Sequence, residues 1–418
     1  MGPEPLEVLR LDSLQRFVHL PGRVVSCVKL LHHQQLREWS KPRSWRNFGW
    51  LALDYACVLL VAGCAVGFHI VRQEQGIHWA WEVPVALLAV FLQGILQHRI
   101  GLMGHESSHG LLLPSRVWND RVANLLIFYP LFSDIRLYRK RHLGHHLHPN
   151  DHEQDPNLFG GKVERIWSKF PMGKQKFARC FYLMFFWPPF VLRNLLDLFL
   201  TLTAGTRGAA VSKSRVPLLG RVWFILSSLV LVACVGSGAR SWPVLLCMTA
   251  VAVLVWAWLP AHAFSADGGM KPDELKQNAL QKLSFNALLL LVLGGLSQRF
   301  GGQVIVGFVV LWICPLIYVF PYLMLLREIY QHANAGTDDL NNSRIMHVDP
   351  FTRWALLGYG NDYHLVHHLY PNIPHDRLAE VHNALLRESG DYATAVAESY
   401  GVVIAPENRR SILDMLAQ

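Results

Sequence analysis

The 418-residue chain carries 21 histidines, and eight of them fall into three groups with helical spacing. His105-Glu106-Ser107-Ser108-His109 places two imidazoles at i and i+4. His142-Leu143-Gly144-His145-His146 places three at i, i+3 and i+4, and His364-Leu365-Val366-His367-His368 repeats that pattern. Residues three and four apart are neighbours on a helix surface, about 5–6 Å between Cβ atoms, so each group is expected to turn its ring nitrogens to one locus. Gathering eight imidazoles without a cation would strand ring nitrogens at roughly 1–3 kcal/mol each, and a metal removes that cost. Eight neutral nitrogen donors exceed what one four-coordinate zinc uses, so ligand count predicts two metal ions. Imidazole suits iron, zinc and copper alike, and the donor set alone leaves the metal open.

The first group also reads as His-Glu-x-x-His, the zinc-protease pattern in which the glutamate is a general base. An intramembrane zinc protease has no use for two further His-x-x-His-His groups, and Asp267-Gly268 lies in a polar stretch instead of the apolar helix such an enzyme needs. Zinc proteolysis is therefore the distant alternative.

The elements that must position these groups are helices in lipid. The chain is 52% apolar and 17% charged, where a soluble domain carries about 25% charged residues. Its formal charge of +9 suits an anionic lipid surface, and the apolar content argues against a nucleic-acid partner. Seven cysteines without a Cys-x-x-Cys pair read as reduced, packed residues. Stretches 51–71 and 79–103 are each long enough to cross a bilayer, for which roughly 20 apolar residues suffice. The short turn at 72–76 makes them an antiparallel hairpin. A second apolar block runs from 222 to 237 and returns from 242 to 264. A weaker run, 283–296, is expected to cross, to dip in and return, or to lie buried, and a strong one follows at 304–326. Segment 177–202, interrupted by Pro188-Pro189, Arg193 and Asp197, is expected to lie along the interface.

Basic residues from Arg10 to Arg46 precede the hairpin, and Arg116, Arg121, Arg136, Arg139, Lys140 and Arg141 follow it, which places both flanks in the cytoplasm. A cytoplasmic C-terminus then requires an even number of crossings, four or six. The N-terminus lacks the short apolar core of a secretory signal and is expected to be retained. The predicted fold is all-α: a multi-pass helical membrane protein with a cytoplasmic helical cap carrying the histidine groups. It divides into a basic cytoplasmic segment (1–50), a membrane domain (51–390) and a cytoplasmic tail (391–418).

The order of these groups, with a long apolar block between the second and third, resembles the membrane fatty acid desaturase superfamily, which also contains hydroxylases and ketolases. The similarity extends beyond the histidines. Tyr138-Arg139-Lys140-Arg141-His142 leads into the second group, and His148-Pro149-Asn150 and Asp155-Pro156-Asn157 follow it. Asn361-Asp362-Tyr363-His364 leads into the third, and Leu369-Tyr370-Pro371-Asn372-Ile373-Pro374 follows it, with one residue fewer between Asn and Tyr than in the family run. The resemblance spans roughly residues 50 to 390. It implies oxygen-dependent desaturation of an acyl chain, with hydroxylation or ketone formation on a lipid or hydrocarbon as the runner-up and a non-catalytic, metal-dependent lipid-binding protein as a further alternative.

It also implies a non-haem centre of two iron ions (Fe2+/Fe3+), with O2 as co-substrate and His105, His109, His142, His145, His146, His364, His367 and His368 as ligands. His332, just after the last span, is the implied ninth ligand. Asn361 is expected either to hold a water or orient an imidazole behind the ligands, or to cap the following helix. His148 and His152 fall outside the i, i+3, i+4 pattern and are expected not to bind metal, while Asp151, Glu153 and Asp155 are candidates to orient ring N–H groups. His262 and His375 are left without a role.

The implied substrate is an acyl lipid or an acyl group on a carrier. His19-Leu20-Pro21-Gly22 departs from the His-Pro-Gly-Gly of a fused cytochrome domain, and the chain has neither a dinucleotide fingerprint nor an iron–sulfur cysteine cluster. An external electron donor, a ferredoxin or a cytochrome with its reductase, is therefore expected.

Overall fold

Thirty-one residues, Ser44–Glu74, form the first long helix, α1, in a computed structural model that describes residues 31–157, 169–201, 216–264 and 272–418. Most of the basic N-terminal stretch, His19 to Gly22 and Asp267-Gly268 lie outside these residues. Helix α1 stops at Gly76, whose φ of 64° is the left-handed conformation that a missing Cβ permits. The chain turns back through a short 3-10 helix, Trp79–Trp81, into α2, Glu82–Ser108, which packs along α1 as the expected antiparallel hairpin. At 1.5 Å per residue α2 is about 40 Å long, while the hydrocarbon core of a bilayer is about 30 Å. The helix is thus longer than a crossing requires, and His105 lies in its last turn.

Helix α3, Arg116–Ala123, continues into a single π turn, Asn124–Phe128, and then α4, Ile135–Leu147, holds the second histidine group. Asp134 starts α4 by accepting from the backbone N–H groups of Arg136 and Leu137. The interrupted segment forms a π turn, a 3-10 turn and then a 14-residue helix, α5, Pro188–Thr201. Phe186, Trp187, Leu192 and Leu196 are exposed on it. Next come α6, Val216–Ser237, α7, Trp242–Trp258, and α8, Pro272–Phe300. These three pack on one another around Trp223, Leu231, Leu245, Trp256, Leu283 and Leu290. A broken helical run over 303–332 ends in α9, Val319–His332.

The described residues contain five helices long and apolar enough to cross a membrane: Ser44–Glu74, Trp79–Ser108, Leu218–Ser237, Pro272–Phe300 and Gln303–His332. Two expectations are refined. The run at 283–296 neither breaks nor re-enters; it lies within the continuous α8. It reads as weak because Asn278, Lys282, Asn286 and Ser297 are buried on its inner face. The expected return from 242 to 264 is α-helical only to Trp258 and resumes as a short 3-10 helix at Ala261–Phe264, because the residue before Pro260 is held extended, with ψ 134° at Leu259. The 17 residues of α7 reach about 26 Å, the lower limit for a span.

Past α9 the polar end of the bundle is completed by β1, Ile345–His347, the short α10, His364–Leu369, α11, Leu378–Glu388, β2, Glu398–Tyr400, and α12, Ile412–Met415. Strands β1 and β2 pair in parallel, Ile345 opposite Glu398 and His347 opposite Tyr400. The fold is otherwise helical. The ends of α2 and α9 meet α4 and α10 there, and all three histidine groups come together.

Candidate metal centre

The nine expected ligands form two groups of side chains. His105, His109, His142, His146 and His367 make one, and His145, His332, His364 and His368 the other; within each group the ligating atoms lie within 4.8 Å of one another. Helical geometry explains the division. Residues at i and i+4 differ by about 40° around a helix axis and those at i+3 and i+4 by about 100°. Each i, i+4 pair therefore shares a group, and the i+3 histidine crosses to the other. His105 and His109 share one locus as expected, whereas the second and third motifs each divide between two, bridged by α4 and α10.

In the first group His142 Nε2 stands 2.8 Å from His109 Nε2 and 3.0 Å from His146 Nε2, which is 3.1 Å from His367 Nε2. In the second, His332 Nε2 stands 3.2 Å from His145 Nε2 and 2.8 Å from His364 Nε2, which is 3.2 Å from His368 Nε2. Two of these rings have their tautomers fixed from behind. His332 Nδ1 is 3.0 Å from the Asn342 carbonyl, which can only accept, and His145 Nδ1 is 2.8 Å from Asp155 Oδ2. Each Nδ1 therefore carries the proton, and the two Nε2 atoms face each other with lone pairs. With both rings neutral, neither can donate to the other, and a cation between them satisfies both. His105 Nε2 is likewise buried without a hydrogen-bond partner. The donor set fits a metal pair.

Electrostatics favours the ligating form. Burial, reinforced by the neighbouring imidazoles, holds His142, His146, His364, His367 and His368 well below the ordinary histidine range. Burial, then the charges of Arg139 and Arg116, pushes His109 down to about 3. Burial also pulls His145 down, but the Asp155 hydrogen bond and the Glu328 and Asp155 charges outweigh it and leave the ring raised. A carboxylate behind a ligating ring raises its basicity and fixes its orientation.

Residues around the groups explain the longer motifs. Asp155 Oδ2 also accepts from the Asn150 backbone N–H at 3.0 Å, and Asn150 Nδ2 donates to the carbonyls of Gly336 and Asn342 at 2.6 and 2.8 Å. The Asn and the Asp-Pro after the second group thus join α4 to the loop that orients His332. A Cβ on Gly144 would lie 2.7 Å from Pro156 Cγ, so that loop packs directly on the helix backbone between the ligands. Asp151 instead closes a local turn by accepting from the N–H groups of Glu153 and Gln154. Arg139 caps the end of α2 through the carbonyls of Ser108 and Ser107 and is held by Asp120 at 2.6 Å.

Asn361 does not cap the following helix. It receives Gln331 Nε2 on its carbonyl and side-chain oxygens at 3.0 and 3.3 Å and donates to the Gly358 carbonyl, while Tyr363 holds the cap position of α10. It tethers the loop before the third group to the residue preceding His332. His148, His152 and His262 stand outside both groups. His375 is buried, with Nε2 3.1 Å from Asn47 Oδ1 and its backbone N–H donating to Glu106 Oε1 at 3.0 Å. Glu106 is thereby engaged as a structural acceptor, against its reading as a general base.

Sequence reasoning missed Asn342 and Arg344. Buried Arg344 donates to the carbonyls of Tyr330 and Ala333 at 2.9 and 2.7 Å and so closes the end of α9 at His332. The only signal for it was a basic residue shortly after a helix end.

The family model for fatty acid desaturases matches residues 77–279 and 266–400. The chain belongs to the fatty acid desaturase family. Both matched segments carry ligand candidates, and the second contains the whole of α9 and α10. Among curated proteins, this desaturase-family chain is 24% identical over 392 residues to the dihydrorhizobitoxine desaturase of Bradyrhizobium elkanii, an alignment covering 92% of this chain and 88% of the relative.

Proposed function

We propose that the protein is a multi-pass membrane enzyme that introduces a double bond into an acyl chain, drawing on O2 and on two electrons from a separate carrier. The observation that carries this reading is the pair of imidazole groups, with two rings fixed so that their lone pairs oppose each other at 3.2 Å. Nine imidazole nitrogens suit two iron ions, and iron held there would supply the oxygen activation needed to remove hydrogen from an unactivated C–H bond. His105, His109, His142, His146 and His367 would hold one ion, and His145, His332, His364 and His368 the other. Asp155 and the Asn342 carbonyl hold two rings in register. Burial favours the neutral form of the other rings, while Asp155 raises the basicity of His145, whose Nε2 proton a metal ion would displace.

In the overall balance the substrate loses two hydrogens, O2 takes up these, two electrons and two protons, and two waters leave. The distribution of basic residues supports placing both termini and the histidine-bearing end in the cytoplasm, where a ferredoxin or cytochrome would dock. Family membership supports an acyl lipid or acyl-carrier substrate, while the relative's name adds dihydrorhizobitoxine to the compounds to be tried.

The test compares lipids from cells expressing wild type with those from cells expressing His145→Ala, with a reductase system and double-bond positions mapped by mass spectrometry. A product lacking two hydrogens, absent from the variant, is expected. A product gaining one oxygen would replace this reading with hydroxylation, and the same product from His145→Ala would remove His145 from the ligand set.

A further inference from the structure

On the outer side of the segment between the first and second histidine groups, a groove of about 600 Å³ runs between α3 with its π turn and the first turns of α8. Its α8 wall changes character along one helical face. Gln277, Gln281 and Ser284 line the polar end, and Phe285 and Leu288 continue it into the apolar part of the span, with Leu125 on the opposite wall. Gln277 and Leu288 are about 16 Å apart along the axis, enough for a polar head and the first part of a chain.

The mouth offers hydrogen-bond donors. Arg121 lies against the Trp118 ring at 5.3 Å, and among the described residues no carboxylate pairs with it, because the adjacent Asp120 is held by Arg139 and Arg116. The Gln281 amide lies 3.4 Å from Tyr129 Oη, whose single proton goes to Asn278, and the rest of the amide faces the groove. The Ser284 hydroxyl is spent on the Leu280 carbonyl. A guanidinium and an amide donor above an apolar slot match a phosphate ester above an acyl chain.

The groove does not lead to the histidines. Leu125 faces it, whereas Ile127 and Phe128 point the other way and pack under Gly104, next to His105, where a Cβ would meet them at 3.0 Å. Tyr129 Oη donates to Asn278 Oδ1 at 3.0 Å and closes the inner side. An occupant here is held beside the metal centre and is not the chain that reacts in it.

We infer that this groove is a binding site for a membrane phospholipid with an anionic head group, its phosphate at Arg121 and Gln281 and an acyl chain along Leu125, Phe285 and Leu288. The lipid ties α3 to α8 at the level where the first two histidine groups are supported.

Native mass spectrometry of the detergent-purified full chain, loaded with phosphatidylglycerol or phosphatidylcholine of identical acyl chains, tests this. Wild type is expected to retain phosphatidylglycerol about fivefold better, the worth of one basic residue at an anionic surface. Arg121→Gln is expected to abolish the preference, and Leu288→Gln, on an exposed position, to weaken retention of both lipids. Equal retention by wild type, or an undiminished preference in Arg121→Gln, would overturn the assignment. Displacement of phosphatidylglycerol by oleate would also overturn it, making the groove a substrate path. None of these readings depends on turnover, so they stand apart from the outcome of the desaturase assay.

Discussion

Asp155 shows how much of the centre depends on a residue that binds no metal. It is buried, and one oxygen serves both His145 Nδ1 and the Asn150 N–H. Asp155→Asn keeps the shape but replaces the carboxylate behind the imidazole with a neutral amide. Such changes typically lower metal affinity 10–100-fold. Titration of the metal-free protein with ferrous iron is expected to show that loss, and unchanged affinity would mean that Asp155 serves only the loop. His375 gives a second prediction, in pH. Burial, partly offset by Asp376 and reinforced by Arg46, pushes its ring down to about 4, whereas an unfolded histidine titrates near 6.5. Above about pH 6.5 neither state takes the proton. Between there and about pH 4 only the unfolded chain does, so stability falls as pH falls, by roughly 3 kcal/mol across the window. His375→Gln keeps a donor for Asn47 and is expected to flatten that slope. Denaturation midpoints of the two proteins at matched pH would check it, and parallel curves would exclude His375 as the source.

At the scale of elements, α1, α2 and the loop before α10 are joined by one buried polar contact inside the apolar hairpin. Arg99 Nε donates to Asp54 Oδ1 at 2.7 Å, and its other nitrogens donate to the Trp354 carbonyl and Tyr359 Oη at 3.0 Å; Tyr359 Oη donates to the second Asp54 oxygen. Removing one partner strands the other charge. Arg99→Met is expected to destabilise the protein by about 3–5 kcal/mol, with Asp54→Leu in the same chain recovering most of that. Chemical denaturation of the single and double variants measures both, and additive losses would show that the two residues do not act as a pair. This contact marks the limit of what the sequence discloses. His105 with His109, and His142 with His146, are legible because their spacing is local and helical periodicity is fixed. That His145 joins His332 and not His142 depends on where α9 ends. Asn342, Arg344 and the Asp54–Arg99–Tyr359 contact depend on chain separations of 10 to 305 residues, which no periodicity encodes. The early end of α7 was readable in Pro260 but was masked by the apolar residues around it.

Across the whole molecule, the residues beyond 390 are part of what holds the second imidazole group. Strand β2 pairs with β1, and Ile412, Leu413 and Leu416 are buried with Tyr330, Ala333 and Met346 around the end of α9. The Leu416 carbonyl accepts from the Met172 N–H at 2.7 Å, and Asn334 Nδ2 donates to the Met415 carbonyl at 3.0 Å, two residues past His332. The end of the chain is thus a strap across the helix terminus that presents one ligand. Four of the five histidines of the first group sit on α2 and α4, which Arg139 and the hairpin fix, and only His367 comes from α10. Ending the chain after Asn408 is expected to lower the denaturation midpoint and to weaken metal retention mainly at His145, His332, His364 and His368, taking bound iron from two per chain toward one. Leu416→Ala, a smaller change costing about 2–5 kcal/mol, is expected to move both quantities in the same direction. Elemental analysis of purified wild type and both variants reads this out. Equal loss from both groups would mean that the strap supports the whole helical end, and undiminished iron in both variants would leave α9 held by Arg344 alone.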